Sequence, residues 1–402
     1  MMIARATIRP GHVQPLWAGH PWVFKQAIQA VQGSPEPGSV VEVVDPKGNV
    51  LGAGFYSPAS AIPIRLAAKS AEELLAPSWQ STWLARKLET ALQWRKTWLG
   101  LPSDHTDGFR WVHAEGDGLP GLTVDVYGSS VVVQFLTLGM KQREQEVFYE
   151  VKRLMRASRV FESASVSSQK LERFVAETRL VEGEPAHALQ FRELGVDYEI
   201  EFGAQVQKTG YYFDQRDNRS LVQSLARGKR VLDAYCYVGG FAMAAARGGA
   251  SQVVAIDSSV QAVTQGGMVA RHNRLPDVVE FVRADVPREL QRMATAREWF
   301  DLVVLDPPKF APTVRHVPQS VKMYRRVNAL GMRLCTPGGV LVTSSCSAAL
   351  QPDMFLRMLS MAAVDAGRTV RLLSLRGAGL DHPSPPSFPQ GRYLKCAVVQ
   401  VE

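Results

Sequence analysis

The sequence predicts an α/β protein built on a mostly parallel, doubly wound sheet, and three observations carry that expectation. From about residue 195 onward, short β-branched runs alternate with helical patterns. Acidic or small polar residues stand at the ends of those runs, where the loops of such a sheet gather on one rim. The stretches before residue 195 lack this alternation and read as a small β-rich module followed by an α+β region.

Strands are expected at 230–233, 252–257, 278–283, 301–306 and 340–344, with helices between them, as at 241–247 and 320–334. Five such units imply a parallel sheet covered on both faces. Two more apolar runs, 370–375 and 394–401, follow without a helix between them. Parallel partners need a crossover, so this pair is expected as an antiparallel hairpin at the sheet edge. In the first module, runs 40–44 and 50–56 flank the turn chemistry of Asp45-Pro46-Lys47-Gly48-Asn49, and 19–24 reads as a packed aromatic corner. The middle region opens with a helix over 78–98, whose Leu84, Leu88, Ala91 and Leu92 share a face. The turn-rich loop 116–121, strands over 122–127 and 131–135, and a charged helix over 141–157 follow. The expected domains are 1–72, 73–192 and 193–402.

Lys and Arg number 46 against 38 acids, a net charge of +8 that suits a polyanionic partner without identifying one. No apolar run reaches the roughly 18 residues of a membrane span. The N-terminus mixes Arg5, Arg9 and Pro10 into its apolar residues, unlike a signal peptide, so a cytoplasmic location is expected. The four cysteines, Cys236, Cys335, Cys346 and Cys396, form no CxxC pair, and neither a metal site nor a disulfide framework is expected.

The strand ends carry the candidate cofactor site. The first strand leads into Asp233-Ala234-Tyr235-Cys236-Tyr237-Val238-Gly239-Gly240, where paired glycines let backbone approach a ligand and open the next helix. The second ends in Asp257-Ser258, placed for a carboxylate to take both ribose hydroxyls. The third leads to Asp285-Val286, placed for an adenine amino group, and the fourth to Asp306-Pro307-Pro308-Lys309-Phe310. A nicotinamide dinucleotide is the competing ligand, but there is no GxGxxG cradle, and a hydride-transfer enzyme has no use for Asp-Pro-Pro. Such a loop in class I methyltransferases presents polar groups to a planar base beside the sulfonium of S-adenosylmethionine (SAM). The plain alternative for Asp257 alone is a helix cap. Upstream, 207–219 interleaves aromatics and charges. Phe213, Asp214 and Arg216 are candidates for the cofactor, and Lys208 and Arg219 for substrate phosphate.

The fifth strand runs into Ser344-Ser345-Cys346-Ser347 on the same rim. A lone strand-end cysteine is ordinarily packing. Here its neighbours are polar and the Asp306 loop lies on the adjoining strand, so Cys346 reads as a nucleophile toward carbon 6 of cytosine. Addition there makes carbon 5 reactive, and a protonated Asp306 assists by donating to ring nitrogen 3. Cys335 and Cys396 read as packing, and Cys236 as packing beneath the cofactor turn.

These residues resemble the bacterial large-ribosomal-subunit RNA cytosine-5 methyltransferases that carry an N-terminal PUA domain. The likeness spans nearly the whole chain and is carried by 207–219, 237–241, 306–310 and 345–347, with 19–24 and 52–58 similar to the PUA module and 116–122 with 166–170 similar to the middle domain. It implies a Rossmann-like class I methyltransferase sheet, SAM contacts around Asp257, Asp285 and Asp306, Cys346 as nucleophile and large-subunit rRNA as partner. Many RNA cytosine-5 methyltransferases have a second cysteine after the first proline of the fourth-strand loop; Pro308 and Lys309 occupy that region here. Some relatives with the same loop methylate guanine. Methylation of guanine or an exocyclic amine, and a non-catalytic assembly factor that retains SAM, stay open as alternatives. So does the oligomeric state, a homodimer included.

Overall fold

The alternating runs of the second half fold into one seven-stranded sheet. Its strands are β1 (Arg230–Ala234), β2 (Gln252–Asp257), β3 (Val279–Arg283), β4 (Phe300–Leu305), β5 (Cys335–Ser345), β6 (Val370–Arg376) and β7 (Lys395–Val401). They lie in the order β3-β2-β1-β4-β5-β7-β6. The first five are parallel, and β7 runs antiparallel to both β5 and β6. The expected hairpin therefore closes one edge, with β7 on the inner side. The order in which successive strands are added reverses between the parallel neighbours β1 and β4, the point where such folds place ligands.

The computed structural model describes residues 3–75, 82–203, 209–310 and 314–402. By contacts they divide into two units. The first comprises Met1–Arg192, Glu199–Phe213 and Leu380–Gly391, the second Glu193–Tyr198, Asp214–Gly379 and Arg392–Glu402.

In the second unit the sheet is joined by α1 (Arg216–Leu225), α2 (Gly240–Arg247), α3 (Val260–His272), α4 (Val286–Thr295), α5 (Val317–Leu334) and α6 (Pro352–Ala366). Leu232, Ile256, Val303, Leu305 and Leu341 of the strands bury against Leu290, Tyr324, Leu330 and Phe355 of the helices. Helix α5 starts three residues before the expected point, with Pro318 in its first turn, where a missing N–H costs nothing. Strand β5 starts five residues before its expected point, at Cys335, and its pairing with β4 shifts register between Phe300 and Leu302 to absorb the Thr336–Gly338 turn.

In the first unit, Ala4–Ile8, Trp22–Val23, Ile28–Gln32, Val40–Val44, Val50–Tyr56 and Ile64–Ala68 form a six-stranded sheet. Asp45 closes its expected turn by accepting from the N–H groups of Lys47 and Asn49. The aromatic corner is present, with Trp22 against Phe24 and Phe388. A second, five-stranded sheet contains Gly108–His113, Leu122–Tyr127, Ser130–Phe135, Arg159–Glu162 and Arg179–Glu182. Phe55 and Ala67 of the first module share one core with Trp83, Leu88, Leu122 and Val133 of the second. The helix expected from residue 78 runs from Trp83 to Leu99 behind an N-cap at Thr82, and residues 78–81 lie outside the described residues. The helix expected over 141–157 is broken into Leu138–Lys141 and Glu144–Met155. At the break Arg143 turns its guanidinium onto the Phe55 ring and the Gly139 carbonyl.

The connection between β6 and β7 also belongs to the first unit. Arg95, 1% exposed, makes a two-point ion pair with Asp117 and donates to the carbonyls of Arg110 and Asp381. The Asp381 carboxylate accepts from the Arg110 N–H at 2.9 Å. Replacing Arg95 by Met leaves Asp117 buried without its counter-charge, and such losses run to about 3–5 kcal/mol. Urea unfolding of Arg95→Met should show a loss of that size; a change below about 1 kcal/mol would mean that the pair does not anchor this connection.

Candidate active site

Strand β1 opens into a turn in which three residues, Tyr235 (φ 65°), Tyr237 (φ 52°) and Gly239 (φ 83°), are left-handed. For the tyrosines this costs on the order of 1–3 kcal/mol each, and the turn is correspondingly over-determined. The Cys236 N–H donates to the Ile256 carbonyl (3.0 Å), that of Tyr237 to Asp257 Oδ2 (2.9 Å), and that of Ala242, in α2, to Asp233 Oδ2 (2.8 Å). Gly239 is demanded by packing as well as by φ, since a Cβ there would sit 2.5 Å from the Phe281 ring. The turn delivers Tyr237, Gly239 and Gly240 to the rim between β1 and β2.

Three carboxylates meet at this rim. Asp233 is fully buried, and its Oδ1 has no hydrogen-bond partner among the described residues. Burial first, then the nearby Asp306 and Asp257 charges, push its acid up to about 8 against the opposing Ala242 N–H bond. Asp257 is oriented by two backbone donors, Ser259 N–H on Oδ1 and Tyr237 N–H on Oδ2. The cap of α3 is Ser259, whose hydroxyl accepts from the Ala262 N–H, so Asp257 is not needed as that cap. Ser258 between them is exposed. Asp306 follows β4; its Oδ1 accepts from Gln215 at 3.0 Å, Gln215 accepts from Asn218, and Asn218 accepts from Arg376. Pro307 is buried, Pro308 and Lys309 are exposed, and the Phe310 ring lies 4.8 Å from Tyr324. Asp285 caps α4 by accepting from the Arg288 N–H, with Val286 buried beneath it.

The upstream segment divides. Asp214 accepts from the Tyr393 hydroxyl at 2.6 Å, and Arg216 is buried beside Asp217. Arg219, expected to reach phosphate, is 3% exposed and held by Glu193 through two hydrogen bonds of 2.6 and 2.8 Å. A buried carboxylate requires that charge, so the guanidinium is spent inside the fold. Phe213 packs in the first unit against Tyr127, Phe191 and Tyr211. Lys208 lies outside the described residues.

Cys346 follows β5 and is half-buried, whereas Cys236, Cys335 and Cys396 are buried. Burial pushes the Cys236 thiol well above its ordinary range and those of Cys335 and Cys396 up to about 12. Sequence reasoning missed what surrounds Cys346. The Tyr324 hydroxyl lies 3.0 Å from Ser345 Oγ and 3.3 Å from Ser347 Oγ, and Lys395 Nζ donates to the Ser347 carbonyl at 2.6 Å. A lysine opening a largely apolar strand was the available signal for Lys395.

This sheet, with its carboxylate-lined rim, belongs to a known class: the chain is a member of the S-adenosylmethionine-dependent methyltransferase family, whose family model matches residues 117–374. A PUA-like domain model matches residues 6–69. Among curated proteins, it is 34% identical to "Ribosomal RNA large subunit methyltransferase I" of Enterobacter sp. over 98% of both chains. It is likewise 34% identical to the protein of that name from Shewanella frigidimarina, over 100% of both. Among solved structures, a putative SAM-dependent methyltransferase from Streptococcus mutans superposes with a TM-score of 0.83 over 99% of this chain and 100% of the other. At 18% identity that is a likeness of fold.

The site residues fit the cofactor. SAM carries a sulfonium and an ammonium, and the rim offers grouped carboxylates, one with a buried oxygen that no described residue satisfies. Asp233 holds its proton to about pH 8 in the folded chain, against about 3.9 when unfolded. A raised acid adds stability that is complete below the unfolded value and is lost as pH rises through the folded one. A cation favours the ionised form, so SAM binding near pH 7 should release a proton. Calorimetry in buffers of differing ionisation enthalpy should detect that release in the parent and not in Asp233→Asn. Proton uptake, or release that survives the substitution, would contradict the placement of Asp233.

Proposed function

We propose that the protein transfers a methyl group from SAM to carbon 5 of a cytosine in large-subunit ribosomal RNA, through a covalent adduct between Cys346 and carbon 6. The observation that carries the reading is Cys346 itself. It is the one cysteine of the four with an accessible side, and it follows the strand adjoining the Asp306 loop. The RNA class follows from the names of the relatives and from the net charge of +8.

Carbon 5 of cytosine is a poor nucleophile. The Cys346 thiolate adds to carbon 6 while Asp306, which must take up a proton as the target base excludes water from it, donates to nitrogen 3, and the ring becomes an enamine. The bound cofactor supplies an electrophilic methyl carbon on sulfur. Loss of the carbon 5 proton to a base then expels the thiolate and restores the ring. Asp257, with Ser258, takes the ribose hydroxyls, and Asp285 with the Val286 backbone takes the adenine. Asp233, Tyr237, Gly239 and Gly240 shape the methionine end, to which Asp214 and Arg216 add charge. Pro307, Pro308 and Lys309 form the wall against the target base, and Lys208 adds positive charge for RNA. The PUA-like 1–72 serves as the RNA-binding part, followed by the α+β middle region 73–192 and the methyltransferase region 193–402. A second reading, methylation of guanine or an exocyclic amine, is favoured only by Pro308 and Lys309 standing where a second cysteine is common.

Single-turnover transfer of labelled methyl to unmodified rRNA separates the two. Cys346→Ala should lose transfer while keeping fold and SAM binding. Cys335→Ala and Cys396→Ala should keep transfer, with stability losses of about 1–2 kcal/mol. Appreciable transfer by Cys346→Ala would remove covalent catalysis.

A further inference from the structure

The Ser345-Cys346-Ser347 turn is held from two directions. Tyr324 of α5 binds both flanking serine hydroxyls. Lys309, exposed in the loop after β4, acts on Lys395 as a like charge. From β7 comes Lys395, directly opposite Ser345 in the sheet register and 4% exposed. Its Nζ donates to the carbonyls of Ser347 (2.6 Å) and Tyr393 (2.8 Å). Among the described residues its partners are these carbonyls and no carboxylate. A buried ammonium that meets only neutral carbonyls is costly, and lysine is almost never fully buried unless paired.

We propose that Lys395 is a positioning residue for Cys346, its ammonium fixed under the turn by two carbonyls so that the thiolate of Cys346 is the missing counter-charge. This deepens the covalent reading and rests on it for its purpose, though not for its measurement. Burial brings the Lys395 ammonium down to about 8; a Cys346 thiolate opposes that shift and Lys309 adds to it. The coupling is reciprocal, so the ammonium favours the thiolate by as much as the thiolate favours the ammonium. The Tyr324 phenol is raised by burial and stays neutral, so it donates or accepts at the serines without competing for charge. On the far side, Cys396 faces Asp306 and Arg376, and its own thiol stays protonated. The charges that act on Lys395 are thus those of Cys346 and Lys309.

The test is the pH dependence of iodoacetamide alkylation of Cys346 in the full chain without RNA, read by peptide mass spectrometry. Lys395→Met should raise the midpoint by about one pH unit and slow alkylation at neutral pH roughly tenfold. Lys395→Gln keeps donors for the carbonyls without the charge and should shift the midpoint likewise, which covers the case in which the Met variant fails to fold. Lys395→Arg keeps the charge and should stay near the parent. An unchanged midpoint in a folded Met or Gln variant would overturn the proposal, as would an Arg variant displaced as far as Met. Because no RNA is present, these outcomes are independent of whether Cys346→Ala loses methyl transfer, which tests the covalent reading itself.

Discussion

The second unit is organised around a carboxylate that the fold buries at a cost. Asp233 lies at the end of β1, where the strand order reverses, with Asp257 and Asp306 on the adjoining strands. The Ala242 N–H, at the N-terminal end of α2 where the helix dipole is positive, offsets part of its burial, and the Arg219 charge adds a smaller share. The left-handed turn, the glycine against Phe281 and the backbone donors on Asp257 all follow from bringing α2 close enough to supply that donor. Grouped carboxylates of this kind favour a cation, and S-adenosylmethionine, the cofactor of the family, is one.

The four cysteines divide the thiol chemistry. Three are buried and their burial keeps them protonated, which also keeps them unreactive. The fourth is placed on a turn whose hydroxyls, carbonyl and neighbouring lysine are all oriented by packing from α5 and β7. Position in the sheet separates them more than local sequence does, since Cys396 lies directly beside Lys395 yet pairs with Ser344 inside the sheet and is fully buried.

Much of the second unit was legible because a buried parallel strand must be a β-branched run and a crossover helix must follow it. β2 matched its expected bounds, and the edge hairpin followed from the missing crossover. The strand-end aspartates were legible because their places follow from strand order. What could not be read depends on partners distant in sequence. Asp381 meets Arg110 across 271 residues, so the link between β6 and β7 looked like an ordinary loop. Arg219 looked available for phosphate until Glu193, 26 residues away, was found against it. The break at Arg143 follows from Phe55, which no helical period announces.

The most direct test of covalent catalysis at Cys346 uses large-subunit RNA carrying 5-fluorocytidine, whose fluorine cannot leave carbon 5 as a proton does. After methyl transfer the adduct has no route to elimination. The full chain incubated with SAM and this RNA should give a protein–RNA species that survives denaturing electrophoresis, and Cys346→Ala should give none. Methylation of the RNA with no trapped species in the parent chain, and the label mapped to a guanine or an exocyclic amine, would contradict it.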